Sequence, residues 1–162
     1  PQGSVTGPMA EVVFRSTQHL TDPDARAMAV YLQALPQRSP AGAPVATPAA
    51  TALQRGAKVY EQHCAQCHGD QGQGEPGAFP ALAGNRAVLL ADTTNLLRVV
   101  LQGGYLPATA GNPRPHGMPP FRQVLGDEDV AAVLSFVRNA WGNQAPGVGT
   151  IDAYRAREAR NP

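Results

Sequence analysis

The residues with the most chemical content in this chain are Cys64, Cys67 and His68, in the run Cys64-Ala65-Gln66-Cys67-His68. Residues three and four apart share one face of a helix, so two thiols and an imidazole project to one side within a single turn. Three chemistries use such a pair of thiols. A dithiol redox couple needs two cysteines but no histidine after them. A structural zinc site needs two further thiols or imidazoles at metal-ligand spacing, and the chain has no other cysteine. Cys-x-x-Cys-His is also the attachment pattern of a c-type haem, with both thiols bonded to the porphyrin and the imidazole bound to iron. Only the haem accounts for all three residues. With both cysteines so used, no disulfide is available.

A second axial ligand must come from elsewhere in the chain. Thioethers are supplied by Met9, Met28 and Met118. Met118 stands in Gly117-Met118-Pro119-Pro120-Phe121, where two prolines restrict the backbone and stiffen a loop that could hold a sulfur at the iron. Met28 falls on the inward stripe of a helical pattern, where filling core space is the expected job. His116 is the rival to Met118, although a lone loop histidine more often faces solvent. His19 and His63 lack such context and are expected to be exposed.

The elements that must position these groups follow from periodicity and caps. Pro36, Pro40, Pro44 and Pro48 mark residues 36–50 as a Pro/Ala-rich linker between a block at 1–35 and a main domain at 51–142. Thr51-x-x-Gln54 predicts a capping box at the head of a helix that runs through Gly56 and Tyr60 towards Cys64. Gly72, Gly74, Pro76, Gly77 and Pro80 predict a long structured loop. Thr94 is the expected cap of a helix carrying Leu96, Leu97, Val100 and Leu101, which Gly103-Gly104 ends. A second Pro/Gly-rich loop is expected from Pro107 to Pro120. Asp127-Glu128-Asp129 suits a helix N-terminus, and Val130, Val133, Leu134, Val137 and Trp141 follow on one face. The pattern is all-α with no convincing strand. Residues 143–162 form a tail, expected to fray in preference to forming a short helix that docks on a neighbour.

The block 1–35 echoes the end of the main domain. Leu20-Thr21-Asp22-Pro23-Asp24 matches Leu125-Gly126-Asp127-Glu128-Asp129 in character, and Tyr31-Leu32 falls where Phe136-Val137 falls. Gly7-Pro8-Met9 also precedes its helix much as His116-Gly117-Met118-Pro119 precedes the later one. The block therefore reads as the closing half of a domain whose Cys-x-x-Cys-His half lies outside this chain.

With 17 glycines and 16 prolines in 162 residues the chain is loop-rich, and its net charge of +1 argues against a nucleic-acid partner. No apolar stretch approaches the length of a membrane span. No signal peptide is visible at Pro1-Gln2-Gly3-Ser4. Haem c is attached on the outer side of the bacterial cytoplasmic membrane. The chain is thus expected to begin after processing or to be a fragment, and to reside in the periplasm or on the outer face of the bacterial cytoplasmic membrane.

Residues 51–146 resemble a class I cytochrome c domain. They are similar to those in the three-haem cytochrome c subunits of bacterial membrane-bound alcohol, gluconate and aldehyde dehydrogenases. The resemblance is carried by Gly56-Ala57-Lys58-Val59-Tyr60, Cys64 to Gly69, Phe79-Pro80-Ala81-Leu82-Ala83-Gly84-Asn85, Val99 to Gly104, Gly117-Met118-Pro119 and Arg138-Asn139-Ala140-Trp141-Gly142-Asn143. Met9 to Val13 and Ser16 to Asp22 resemble the end of a preceding domain. The resemblance implies an all-α class I cytochrome c fold around one haem c, with an additional N-terminal helix. It implies that Pro80 offers its carbonyl to the His68 ring, that Leu82 presses on the haem face and that Met118 is the sixth ligand. Gly56 and Tyr60 would meet Val133 and Phe136 at a helix crossing, Met9 would ligate the preceding haem, and Arg98 and Arg114 are weaker candidates for haem propionates.

The implied function is electron transfer, without catalysis of its own. Partners would be redox proteins: a dehydrogenase subunit, other haem domains or a cytochrome, with membrane association only through a parent complex. Electrons would pass from a periplasmic dehydrogenase to quinone or another cytochrome. Two alternatives stand beside this: a free monohaem carrier, and a haem protein with an open sixth site for ligand binding or peroxidase-like chemistry.

Overall fold

A computed structural model describes residues 4–5, 7–36 and 47–159, and most of the expected linker lies outside these residues. The helices are α1 (Pro8–Arg15), α2 (Asp22–Ala34), α3 (Ala50–His63), α4 (Ala65–His68), α5 (Arg86–Leu89), α6 (Thr94–Gln102), α7 (Asp127–Val137) and α8 (Thr150–Glu158). Two-residue strands β1 (Gly104–Tyr105) and β2 (Gly117–Met118) pair antiparallel, Gly104 with Met118 and Tyr105 with Gly117. This small ribbon, with isolated antiparallel bridges between Glu75 and Phe79 and between Thr109 and Asn112, departs from the all-α expectation.

The core lies where α3, α6, α7 and α8 meet, with Val59, Tyr60, Leu97, Leu101, Val130, Val133, Leu134 and Val137 buried together. Helix α3 crosses α7 at Gly56. A Cβ there would overlap the Ala132 carbonyl oxygen and lie 2.7 Å from Phe136 Cβ, so only glycine lets the two backbones meet. The crossing thus falls on Ala132, one residue before the expected Val133. Tyr60 and Phe136 pack beside it with ring centroids 5.6 Å apart.

Several local expectations are corrected. Helix α3 starts one residue before Thr51, with Ala49 as N-cap and no side-chain cap, so the capping box does not form. Helix α6 takes Thr93 as N-cap, and the carboxylate of Asp92 accepts from the Thr94 amide at 2.8 Å, so Thr94 is capped and does not cap. Helix α7 ends at Val137, which leaves Trp141 outside it in a left-handed turn with φ 53°. Trp141 packs on Tyr60, with centroids 4.9 Å apart, and across Gly72. Burial spans most of α7 and is not confined to one stripe.

Over its described residues, 143–159, the tail does not fray. Ala153 of α8 is fully buried, and Arg157 pairs with Asp127 at 2.6 Å while donating to the Arg122 and Leu125 carbonyls. Arg55 of α3 reaches Glu128 and Asp129. The acidic first turn of α7 is therefore the anchor for two neighbouring helices, besides suiting its own dipole. In α1 and α2, by contrast, no residue is buried, and Met28 is 51% exposed where core filling was expected. Thr21 caps α2 through the Asp24 amide. No helix among the described residues is long and apolar enough to cross a membrane.

Candidate haem site

Helix α3 delivers the motif. It ends at Cys64, whose amide still bonds the Tyr60 carbonyl, and Cys64 then serves as N-cap of the single turn α4. The amides of Cys67 and His68 both point back to the Cys64 carbonyl, at 3.2 and 2.9 Å. The chain kinks between α3 and α4, and one turn carries both thiols and the imidazole. Gly69, with φ 78°, stops that turn, and its carbonyl accepts the Tyr60 hydroxyl at 2.6 Å.

His68 is 9% exposed, and its Nδ1 lies 2.9 Å from the Pro80 carbonyl oxygen. A carbonyl only accepts, so Nδ1 carries the proton and Nε2 keeps its lone pair for a metal. Burial lowers the pKa of the ring, against the opposing effect of the Pro80 bond, so the neutral, ligating form is favoured. Pro80 is brought there by a loop folded on itself. The Gly74 amide bonds the His68 carbonyl at 2.7 Å, and Leu82 and Ala83 both donate to the Gly72 carbonyl. Gly74, with φ 64°, has the backbone of 79–81 pressed against it; a Cβ would lie 2.7 Å from the Pro80 carbonyl carbon.

Two buried asparagines brace the segment beyond Pro80. Asn85 caps α5 and donates to the Ala81 carbonyl at 2.8 Å. Asn143 donates to the Leu82 and Val137 carbonyls and accepts from the Gly84 amide. Sequence reasoning gave neither a role, because a loop asparagine carries no local signature of burial. It missed Arg138 in the same way. Arg138 is 1% exposed and donates to the carbonyls of Pro146, Val88 and Leu90, with Nη2 buried without a protein partner.

Cys64, Leu82, Leu96, Val99, Met118 and Phe121 are half-buried and packed against the core. Met118 lies on β2, while His116 is exposed, with its ring 4.9 Å from Phe79. Met9 is 58% exposed on α1. His19, His63, Arg98 and Arg114 are exposed. The competing chemistries fare poorly here. The thiols form no disulfide, and burial, followed by the neighbouring Cys67, pushes the Cys64 thiol up to about 11, opposite to a reactive redox cysteine. Among the described residues no group of three or more His, Cys, Asp or Glu side chains converges as zinc would require. Two thiols, a neutral imidazole with its outer nitrogen engaged, and an apolar surround do fit a covalent haem.

Class and kinship now meet. The cytochrome c family model matches residues 53–141, and the chain belongs to that family. It is 41% identical to the cytochrome c subunit of the quinone alcohol dehydrogenase of Gluconobacter oxydans, over 98% of this chain and 35% of that subunit. It is 38% identical to the gluconate 2-dehydrogenase cytochrome c subunit of Pantoea cypripedii, over 89% of this chain and 35% of the relative. Cytochrome c-552 of Thermus thermophilus is 41% identical over 68% of this chain and 76% of its own length. The chain thus spans about a third of the length of the dehydrogenase subunits that it matches. It holds a haem c covalently through Cys64 and Cys67, and its chemistry is haem-based electron transfer.

Proposed function

We propose that the domain relays single electrons through a haem iron ligated by His68 and Met118, between a periplasmic dehydrogenase and quinone or another cytochrome. The observation that carries this is the state of His68: buried, neutral, with Nδ1 bound to the Pro80 carbonyl and Nε2 left for iron. Met118 is favoured over His116 because it packs against the core, whereas His116 is exposed and engaged with Phe79.

The bound group supplies reversible exchange between ferric and ferrous iron. Cys64 and Cys67 fix its edge to α4. Pro80 holds the His68 ring in one orientation and strengthens it as a donor. Leu82, half-buried against the core, would press on the bound haem. Met118 would supply a thioether as the second protein ligand, which would leave no open site for substrate and would raise the potential. The apolar side chains around it exclude water, which disfavours the more highly charged ferric state.

The dehydrogenase subunits similar to this chain support a dehydrogenase as electron donor, and with it a location on the outer side of the bacterial cytoplasmic membrane. The helices α1 and α2 are read as the closing part of a preceding haem domain, whose iron Met9 would ligate. Their repeated Leu-x-Asp-x-Asp pattern and exposed Met9, Val12, Phe14, Tyr31 and Leu32 support that reading.

The test is an absorption spectrum of the haem-loaded protein, oxidised and reduced, with and without carbon monoxide. The expected result is a weak long-wavelength methionine-to-iron band in the oxidised form and a reduced spectrum indifferent to carbon monoxide. Prompt carbon monoxide binding would overturn the relay in favour of a ligand-binding or peroxidase-like site.

A further inference from the structure

Met118 belongs to no helix, so what holds its sulfur in place must be sought in the segment around it. That segment is seated on the end of α6. The last carbonyls of a helix lack intrahelical partners, and here Val100 and Leu101 find theirs in the amides of Phe121 and Arg122, at 3.0 and 3.2 Å. Gly103 caps the helix with φ 72°. A Cβ on Gly103 would overlap the Met118 carbonyl oxygen and lie 3.0 Å from the Pro120 nitrogen and 3.1 Å from the Pro119 carbonyl carbon. The backbone of 118–120 thus runs against Gly103 with no room for a side chain.

The next two residues complete the seat. Gly104 pairs with Met118 and Tyr105 with Gly117. Tyr105 is 70% exposed, an unusual place for a large ring unless it covers something. It covers Gly117: a Cβ there would lie 2.8 Å from Tyr105 Cζ. The residue immediately before Met118 is therefore a glycine that admits an aromatic ring onto its backbone.

We propose that Gly103 and Tyr105 are positioning residues for Met118. Together they pin residues 117–120, so that the thioether stays seated and the axial position stays closed to outside ligands. This rests on the ligation by Met118 proposed above. A ligand that competes with the thioether binds only the fraction of molecules in which the loop has opened, and its apparent affinity scales with that fraction.

The test uses the haem-loaded chain and five variants. Gly103→Ala puts a methyl group against the Met118 backbone. Gly142→Ala is its control, since Gly142 has φ 83° but nothing within 4 Å of its Cβ position, so it carries the backbone strain without the contact. Tyr105→Ala removes the covering ring, and Tyr105→Phe restores it. Carbon monoxide binding to the reduced form is expected to rise roughly tenfold or more in Gly103→Ala and Tyr105→Ala, the factor that about 1.4 kcal/mol lost from the closed loop produces. The methionine-to-iron band should weaken in the same two. Gly142→Ala and Tyr105→Phe should keep wild-type band and binding. If Gly103→Ala and Tyr105→Ala merely melt earlier while band and carbon monoxide response stay as in wild type, the two residues are structural only and the proposal fails. If Met118→Ala abolishes the band in that same experiment, Met118 ligation survives that failure. If the wild-type protein itself lacks the band, both fall together.

Discussion

An alanine at Gly56 sets two opposed effects against each other at one atom. Helix propensity alone favours alanine over glycine in mid-helix by about 1 kcal/mol. The crossing with α7 opposes it. The added Cβ would lie 2.7 Å from the Ala132 carbonyl carbon and from Phe136 Cβ, and would overlap the carbonyl oxygen. Comfortable carbon contacts are about 3.5–4.0 Å, so α3 and α7 must part by about 1 Å. Overpacking of this kind costs about 1–3 kcal/mol, and the upper end applies where the obstacle is main chain that cannot rotate aside. The net is a loss of about 2 kcal/mol. At roughly 4 °C per kcal/mol for a domain of this size, Tm should fall by about 8 °C. The assay is reversible thermal unfolding of the haem-loaded protein followed by circular dichroism. Adding Ala132→Gly should not rescue the variant, because the clash is with the Ala132 carbonyl and not its methyl group. A Tm at or above wild type would refute the reasoning, showing that propensity wins and that the crossing has slack.

Two further outcomes are expected. Arg138→Lys should cost about 3 kcal/mol, since an ammonium cannot reach the carbonyls of Val88, Leu90 and Pro146 as the guanidinium fork does, and leaves buried acceptors unpaired; a denaturant midpoint unchanged at constant slope would refute it. The Asp92 carboxyl, held below its usual 3.8 by the Thr94 hydroxyl and then the Thr94 amide, should titrate low when followed by NMR. Because its native pKa is depressed, its cap on α6 is complete above the unfolded value and fades as pH falls through the native one. Asp92→Ala should abolish that pH dependence at the first turn of α6, and an unchanged amide exchange rate there would count against the cap.

The motif and most helices were legible because their signals are local. Cys64, Cys67 and His68 announce themselves by spacing, and Gly103 and the acidic turn at Asp127 mark real helix boundaries. The failures share a cause. Thr51 and Thr94 carry the right side chains for caps, yet neighbouring residues take the position, since the packing of a helix shifts its ends by a residue or so. Residues 150–158 look polar and terminal, but Ala153 and Arg157 tie them to α6 and α7 across long sequence distances. Arg138 looks like a surface arginine in every local respect, and only the arrival of the 88–90 and 146 carbonyls makes it a buried clamp.

By itself the amino-acid sequence determined the haem attachment and the helical class, because covalent chemistry at Cys64-x-x-Cys67-His68 and the 3.6-residue periodicity are properties of neighbouring residues. Tertiary structure alone decided which nitrogen of His68 carries the proton, since the Pro80 carbonyl reaches Nδ1 only when Gly74 lets the loop fold over it. It also decided that the chain around Met118 rests on Gly103 and under Tyr105. Those contacts join residues far apart in sequence, and their geometry exists only once the core between α3, α6 and α7 has closed.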